Sequence, residues 1–310
     1  MGLASTGVSV LLAELADSAL RAPITMARNI FFSIGLTLVY SLGLAFKRDW
    51  QTLGTVCSAL SILSTVLVLA FVPESNVWKN TKNQNKSSLH LDWTHLWRSR
   101  RRPEIYKPGL FICIFFFVRQ LAGTSVILTY AVSISGAAGV SVDPYIVAVG
   151  LGCGRTVAGL VAAGVSARWG RRPPVTYAGC LMSLTMIWIA HNAPEETPAP
   201  TQSPSDLYSR IAVPALLIIF VLSSTIASDI PRSMASMATS VGLCVTYMSS
   251  FVALKMYPEL LSGLGRKGLF TFYAVLSVGS TVWTILLLPE THGKTLEEIE
   301  AIYTGEMFFF

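Results

Sequence analysis

Charged side chains are scarce in this chain: Asp, Glu, Lys and Arg make up 13% of the 310 residues, whereas apolar residues make up 52%. The mean hydropathy is +0.57. A soluble domain of this length carries more polar surface, so the composition excludes an ordinary soluble fold. Strand-type alternation is also lacking, and a backbone in lipid must satisfy its own hydrogen bonds. The predicted fold class is therefore all-α, a polytopic membrane helical bundle.

The sequence also lacks the residue sets that enzymes and metal sites need. The histidines His90, His95, His191 and His292 are scattered, and no Ser/His/Asp set or phosphate-binding loop appears. The five cysteines lie in or beside apolar runs and show no metal spacing. The formal net charge of +6 comes from residues in the loops between apolar runs, which indicates topology rather than nucleic acid. We therefore expect no enzyme, no cofactor, no metal and no nucleic-acid partner.

Eight apolar runs are long enough to cross a bilayer, which takes about 20 residues per helix. They lie near residues 30–46, 54–72, 110–134, 145–166, 174–190, 211–227, 239–254 and 269–288. A shorter run, 2–13, covers only about 18 Å and predicts the end of a further helix. A cleavable signal peptide is the weaker interpretation, because no basic segment precedes the run and Glu14 and Asp17 follow it directly.

Most of the Lys and Arg residues are found in one set of alternate loops, which includes 76–108 and 167–172. The opposite set carries few. Because basic loops remain in the cytoplasm, we expect loop 76–108 and the C-terminus to be cytoplasmic. The predicted surroundings of the helices are a lipid bilayer.

Four segments carry a resemblance to a known family. PETHGKTLEEI at 289–299 and PES at 73–75 are similar to the sequences that follow the twelfth and sixth helices of the sugar porter family of the major facilitator superfamily. ARWGRR at 167–172 resembles the turn between helices eight and nine of that family, and RQLAGTSVILTY at 119–130 resembles its helix seven. Within the family, the chain resembles the arthropod facilitated trehalose transporter subgroup.

The resemblance implies a domain organisation in which the first three helices of the family are missing. Residues 1–75 then correspond to the remnant of the N-terminal transmembrane half, 76–108 to a cytoplasmic loop, 109–290 to the C-terminal half and 291–310 to a cytoplasmic tail. The helix that corresponds to the tenth of the family is expected to be shortened, to residues 211–227. The plasma membrane is the expected location.

The function implied by the resemblance is transport of a sugar, a hexose or a disaccharide such as trehalose, by alternating access. Facilitated diffusion is favoured over proton coupling because no Asp or Glu lies in the middle of an apolar run. The expected substrate-binding residues are Asn29, Arg119, Gln120, Thr124, Ser125 and Tyr130. Amides and hydroxyls bind polyols, but they also bridge neighbouring membrane helices, and both interpretations stay open.

Charged residues near the cytoplasmic helix ends are expected, by the same resemblance, to form a latch that stabilises one transport state. The expected latch comprises Glu14, Arg21, Glu74, Arg168, Gly170, Arg171, Arg172, Asp229 and Glu290. Topology signals and weak surface ion pairs are the alternative interpretation of these residues.

Two other functions stay open. Arg119 lies inside an apolar run and Ser125 replaces the asparagine of the family, which together favour a transporter of organic anions or other solutes. Alternatively, the guanidinium of Arg119 snorkels or pairs with backbone carbonyls. The missing helices favour a truncated, transport-inactive membrane protein. The sequence does not indicate an oligomeric state.

Overall fold

The computed structural model describes residues 21–47, 49–71, 110, 113–137, 143–169, 172–192, 204–234 and 239–287. The regular elements in these ranges are helices, which confirms the predicted all-α membrane bundle. They are α1 (Arg21–Ala45), α2 (Trp50–Phe71), α3 (Cys113–Thr129), α4 (Ala131–Ala137), α5 (Pro144–Trp169), α6 (Arg172–Asn192), α7 (Pro204–Met234) and α8 (Thr239–Leu287).

α8 contains two of the predicted spans, joined at a break. Gly265 has φ +66° and ψ −178°, so residues 239–264 form a first arm and residues 266–287 a second arm. Ser250 in the first arm is hydrogen-bonded to Gln120, and Tyr273 in the second arm lies against Gly123. A straight helix would separate Ser250 and Tyr273 by about 35 Å. The chain therefore turns back at Gly265.

α7 is longer than its apolar run. Its 31 residues rise about 46 Å, although the apolar window is the 18 residues Ala212–Asp229. The helix therefore extends beyond the predicted residues 211–227 at both ends, whereas its apolar window stays close to that run. Hydropathy marks the part of a helix that lipid can cover, whereas backbone hydrogen bonding continues through the polar residues at both ends. Pro204 opens the helix, where a missing N–H costs nothing.

α5 lies at the centre of the described bundle and packs against α1, α4, α6 and α7. α6 in turn packs against α7 and α8, and α3 packs against α8. The main buried core joins these helices through large side chains such as Leu151, Met182, Phe220 and Leu269. α2, by contrast, has no buried residue. The described core is thus formed mainly by the elements from α3 to α8, with α1 packed on its side.

α1 and α5 pack antiparallel along most of their length. As the residue number rises along α1, the number of its partner falls. Ile30 lies against Gly159, Thr37 against Thr156 and Gly152, and Lys47, just after α1, against Asp143, just before α5. Two of the α5 positions are glycines, because a side chain there would overlap α1. An ideal Cβ on Gly152 would lie 2.8 Å from Thr37 Oγ1 and 2.9 Å from Thr37 Cα.

An ion pair lies at one end of this interface. Lys47 Nζ donates to Asp143 Oδ2, and the backbone N–H of Tyr145 donates to Asp143 Oδ1 over 3.1 Å. The hydrogen bond from Lys47, followed by that from Tyr145, lowers the pKa of the Asp143 carboxyl below its usual range. Asp143 therefore links α1 to the N-terminus of α5.

Replacing Gly152 by Ala should separate α1 from α5, because the new methyl group meets backbone atoms that cannot move aside. Overpacking of this kind costs about 1–3 kcal/mol, so we expect a lower midpoint of thermal unfolding (Tm) in detergent. Gly164→Ala in the same helix is the control, since a Cβ there has nothing within 4 Å. Equal Tm values for the two variants would show that the close approach is absent.

The Lys47–Asp143 pair should stabilise the protein at neutral pH and not in acid. A carboxyl whose pKa is lowered by folding stabilises the folded state above its unfolded pKa, and this contribution is lost as the pH falls through the lowered value. We expect Lys47→Ala to lower Tm at pH 7, and the difference from wild type to shrink once the pH falls below the ordinary Asp value of about 4 and to vanish below the lowered pKa. Lys255→Ala, which removes an exposed cation in α8, controls for net charge. A pH-independent difference would exclude this pair as its cause.

Candidate functional site

α3 is interrupted where the sequence predicts a binding segment. Residues Gln120–Thr124 form one turn of π-helix, and Gly123 has φ +95°, a conformation that glycine adopts without strain. The ring of Tyr273 occupies the space beside Gly123, with its Cγ 3.0 Å from an ideal Cβ. The break in α3 is thus held against the second arm of α8.

Gln120, Ser125 and Ser250 form a hydrogen-bonded cluster at this break. Gln120 Nε2 donates to both serine hydroxyls, and the two Oγ atoms lie 3.2 Å apart. All three side chains are half-buried. The cluster therefore presents one amide and two hydroxyls, groups that donate and accept hydrogen bonds and that a polyol can exchange for its own.

An aromatic pair lies at the far end of α3. The ring of Tyr130 stacks on that of Tyr257 in the first arm of α8, with centroids 4.3 Å apart and planes inclined by 25°. Next to it, Tyr40 Oη of α1 donates to the carbonyl of Leu128 over 2.5 Å. α1 therefore reaches the side of α3 that follows the cluster.

Two hydroxyls near the break are buried and have no hydrogen-bond partner within the described part of the chain: Thr124 Oγ1 and Tyr273 Oη. Thr124 is 8% exposed and Tyr273 is 2% exposed. A buried polar atom without a partner is costly unless water or a ligand satisfies it. These hydroxyls mark the break as a place where a polar molecule gains hydrogen bonds.

Arg119 faces a different set of helices from its neighbour Gln120. Its Nε donates to Ser228 Oγ over 3.0 Å, and one terminal nitrogen donates to the carbonyl of Ser224 and to Met182 Sδ, both over 3.3 Å. These contacts reach α6 and α7, whereas Gln120 reaches α8. Two adjacent residues predicted to share one site therefore point to different parts of the bundle.

Asn29 lies on α1 and is 8% exposed. Its Oδ1 accepts a hydrogen bond from Arg28 over 3.0 Å, and its backbone carbonyl accepts one from Ser33 over 2.9 Å. Its recorded side-chain hydrogen bond therefore lies within α1. The predicted contact between Asn29 and a substrate stays a prediction.

Only part of the predicted latch falls within the described residues. Arg168 is exposed at the end of α5, and Arg172 at the start of α6 donates to the carbonyl of Ile285 in α8 over 3.0 Å. Asp229 is buried in α7, with 2% exposure. Arg21 is the first residue of α1. Outside the described residues lie Glu14, Glu74, Gly170, Arg171 and Glu290.

Three residues of the site were not predicted from sequence: Ser250, Tyr257 and Tyr273. All lie in α8: Tyr257 follows the end of the run 239–254, whereas Ser250 and Tyr273 are polar or amphipathic side chains inside apolar runs. That pattern is a signal for a bundle-facing residue, but it does not tell which helix the residue faces. Their positions follow from the fold of the two arms onto α3.

Two outer grooves of the bundle have a different character. One, of about 400 Å³, is lined mainly by apolar residues of α6 and α8, such as Ile187 and Val278. The other, of about 470 Å³, lies along α2. Neither includes a residue of the Gln120 cluster, and their lining suits lipid chains better than a polyol.

Comparisons with known proteins agree with the fold. The profile of the family described as "Sugar (and other) transporter" matches residues 1–90 and 77–303. The chain is 22% identical to the facilitated trehalose transporter Tret1 of Anopheles gambiae over 99% of its own length and 43% of that protein. It is 23% identical to human solute carrier family 2, facilitated glucose transporter member 6, over 99% and 71%. The chain thus spans about two fifths to seven tenths of these relatives.

A solved structure is similar to the described bundle. The partially occluded inward-open xylose transporter XylE from E. coli superimposes with a TM-score of 0.72 at 17% identity. The match covers 95% of this chain and 69% of that one. At this identity, the likeness establishes the major facilitator fold alone.

Gly123→Ala should disturb the break in α3. An alanine at φ +95° costs about 1–2 kcal/mol in backbone strain, and its methyl group would also press on the ring of Tyr273. We expect a lower Tm in detergent than for wild type. Gly279→Ala in α8 is the matched control, because this position has nothing within 4 Å and no positive φ. If both variants unfold at the wild-type temperature, α3 is not broken at Gly123.

Proposed function

The chain belongs to the "Sugar (and other) transporter" family, a family of membrane transporters rather than enzymes, and we propose that it carries a sugar across the membrane by facilitated diffusion. The observation that supports this function best is the interrupted helix α3, whose break gathers an amide, hydroxyls and aromatic rings. Discontinuous helices shape the binding sites of many secondary transporters. A hexose or a disaccharide such as trehalose is the proposed substrate class.

The proposed binding site is centred on the Gln120–Ser125–Ser250 cluster. In the structure, these three groups bond to one another, so a sugar can replace their mutual hydrogen bonds with its own at little net cost. The unpartnered hydroxyl of Thr124 is next to the break in α3. The stacked rings of Tyr130 and Tyr257 offer an apolar surface for the C–H face of a sugar ring.

Asn29 and the expected latch belong to this proposal as well. The latch would use the charged ends of α5 and α6, where Arg168 and Arg172 lie, together with Asp229 in α7. Its opening would accompany rocking of the two halves across the α1–α5 interface. We also propose that the protein resides in the plasma membrane with its C-terminus in the cytoplasm.

Transport without proton coupling is the proposed mode. Among the carboxylates of the described helices, Asp229 lies at the end of the apolar window of α7 and Glu259 is exposed in α8. Neither lies in the middle of a helix or arm, where a proton-coupling acid would be expected, because Glu259 is near the end of the first arm, before the break at Gly265. The contacts of Arg119 with α6 and α7 give the alternative of an organic anion transporter no particular support.

A transport-inactive membrane protein is the second candidate. The observation that favours it is α2, none of whose residues is buried, so that this helix adds little to the described core. Uptake by the purified chain separates the two functions.

We expect proteoliposomes containing the full chain to take up labelled trehalose or glucose saturably, without a need for a proton gradient. Gln120→Ala should reduce uptake at low sugar by about tenfold, because it removes the donor to Ser125 and Ser250 (~1.4 kcal/mol). Ser61→Ala, which removes an exposed hydroxyl bonded within α2, should behave as wild type. Correctly inserted protein that takes up no more sugar than empty liposomes would favour the inactive protein.

A further inference from the structure

Among the described residues, Arg119 is one of the largest fully buried side chains, with 2% exposure, and it lies in the apolar helix α3. The contacts of its guanidinium include Ser228 Oγ and the Ser224 carbonyl on α7, and Met182 Sδ on α6. A cation inside a membrane bundle is expensive and therefore marks a position with a particular role.

The two contacts on α7 are one helical turn apart and are joined to each other. Ser228 Oγ accepts from Arg119 and donates to the Ser224 carbonyl over 2.7 Å. The planar guanidinium of an arginine can donate hydrogen bonds to both groups at once. The ammonium of a lysine, on its flexible side chain, cannot hold the same geometry. Arg119 therefore fixes both the distance and the rotation of α3 relative to α7.

The position of Arg119 in α3 connects these contacts to the break. Arg119 directly precedes the π-helical turn Gln120–Thr124, and its neighbour Gln120 bonds to Ser250 in α8. Along this short stretch, α3 is thus held on one side by α6 and α7 and on the other by α8. A rotation of α3 that released Arg119 would move the Gln120 amide and the Ser125 hydroxyl, which both lie on α3, relative to Ser250.

We propose that Arg119 is a positioning residue for the binding site: by holding α3 against α6 and α7, it places the Gln120 amide and the Ser125 hydroxyl in reach of Ser250. This inference rests on the proposed transport function in so far as the cluster binds sugar, but its geometric content can be tested without sugar. Arg119 acts through Gln120 and does not itself contact the substrate.

A disulfide reporter measures the geometry directly. In the full chain with its five native cysteines replaced by alanine, Ser125→Cys and Ser250→Cys should form a disulfide on mild oxidation, because the two Oγ atoms are 3.2 Å apart. We expect Arg119→Lys and Arg119→Met to slow the initial rate by about tenfold or more, since a displacement of about 1 Å is enough for such an effect. Lys255→Met, the loss of an exposed cation, should leave the rate unchanged.

The two Arg119 variants separate geometry from charge. Arg119→Lys keeps the positive charge but loses the planar guanidinium. Arg119→Met removes the buried charge and leaves the hydrogen bond from Ser228 to Ser224 in place. A wild-type rate in Arg119→Lys would show that charge alone suffices and would overturn the proposal. Wild-type rates in both variants would overturn it as well.

Uptake provides a second readout in the native sequence. We expect Arg119→Lys to raise the sugar concentration for half-maximal uptake by about tenfold and to have no such effect in a Gln120→Ala background, because coupled residues are not additive. Equal effects in both backgrounds would contradict action through Gln120. If the wild-type chain takes up no sugar while the disulfide rate still depends on Arg119, the transport function fails and the positioning role stands.

Discussion

The need to satisfy hydrogen bonds inside hydrocarbon governs the structure of this protein. Many hydroxyls in the described helices donate to a carbonyl of their own helix, as Ser33, Ser183 and Thr225 do. Such bonds place few demands on neighbouring helices. At the break in α3 this arrangement ends: Gln120 bonds to another helix, and the Thr124 hydroxyl lacks a partner in the described chain. The candidate site is therefore a place where polar side chains of a helix do not find all their hydrogen-bond partners within that helix.

Close packing around α5 depends on which of its faces carry glycine. A Cβ on Gly152 or Gly159 would meet α1, whereas a Cβ on Gly150 or Gly154 would meet Ile218 on α7. One helix thus serves two interfaces through separate sets of small residues. Since small residues let helix backbones approach closely in lipid, these contacts provide packing without hydrogen bonds.

The sequence predicts the number and approximate position of the described spans, because hydropathy reports directly on burial in lipid. It predicts helix ends poorly: Lys255 and Glu259 interrupt the apolar pattern but lie within the first arm of α8. The candidate binding segment at 119–130 is identified through the family resemblance, yet nothing in the local sequence shows that Gly123 has a positive φ. That conformation accompanies the packing of Tyr273, which comes 150 residues later in the chain. The direction of Arg119 likewise depends on Ser224 and Ser228, more than 100 residues away.

The hydrogen bonds between helices indicate which elements of a transporter would move together. α3 is bonded to α6, α7 and α8 through Arg119 and Gln120, so it should travel with the second half. α1, which the family resemblance assigns to the first half, meets α3 through the bond from Tyr40 to the Leu128 carbonyl. Its long contact with α5 has directional bonds at Thr37–Thr156 and Lys47–Asp143, whereas at Gly152 and Gly159 it is close packing, which tolerates rocking better than directional bonds do. Rocking across the α1–α5 interface would therefore change the contact at Leu128 before it disturbed the Gln120 cluster, and the site would open while its own geometry is kept.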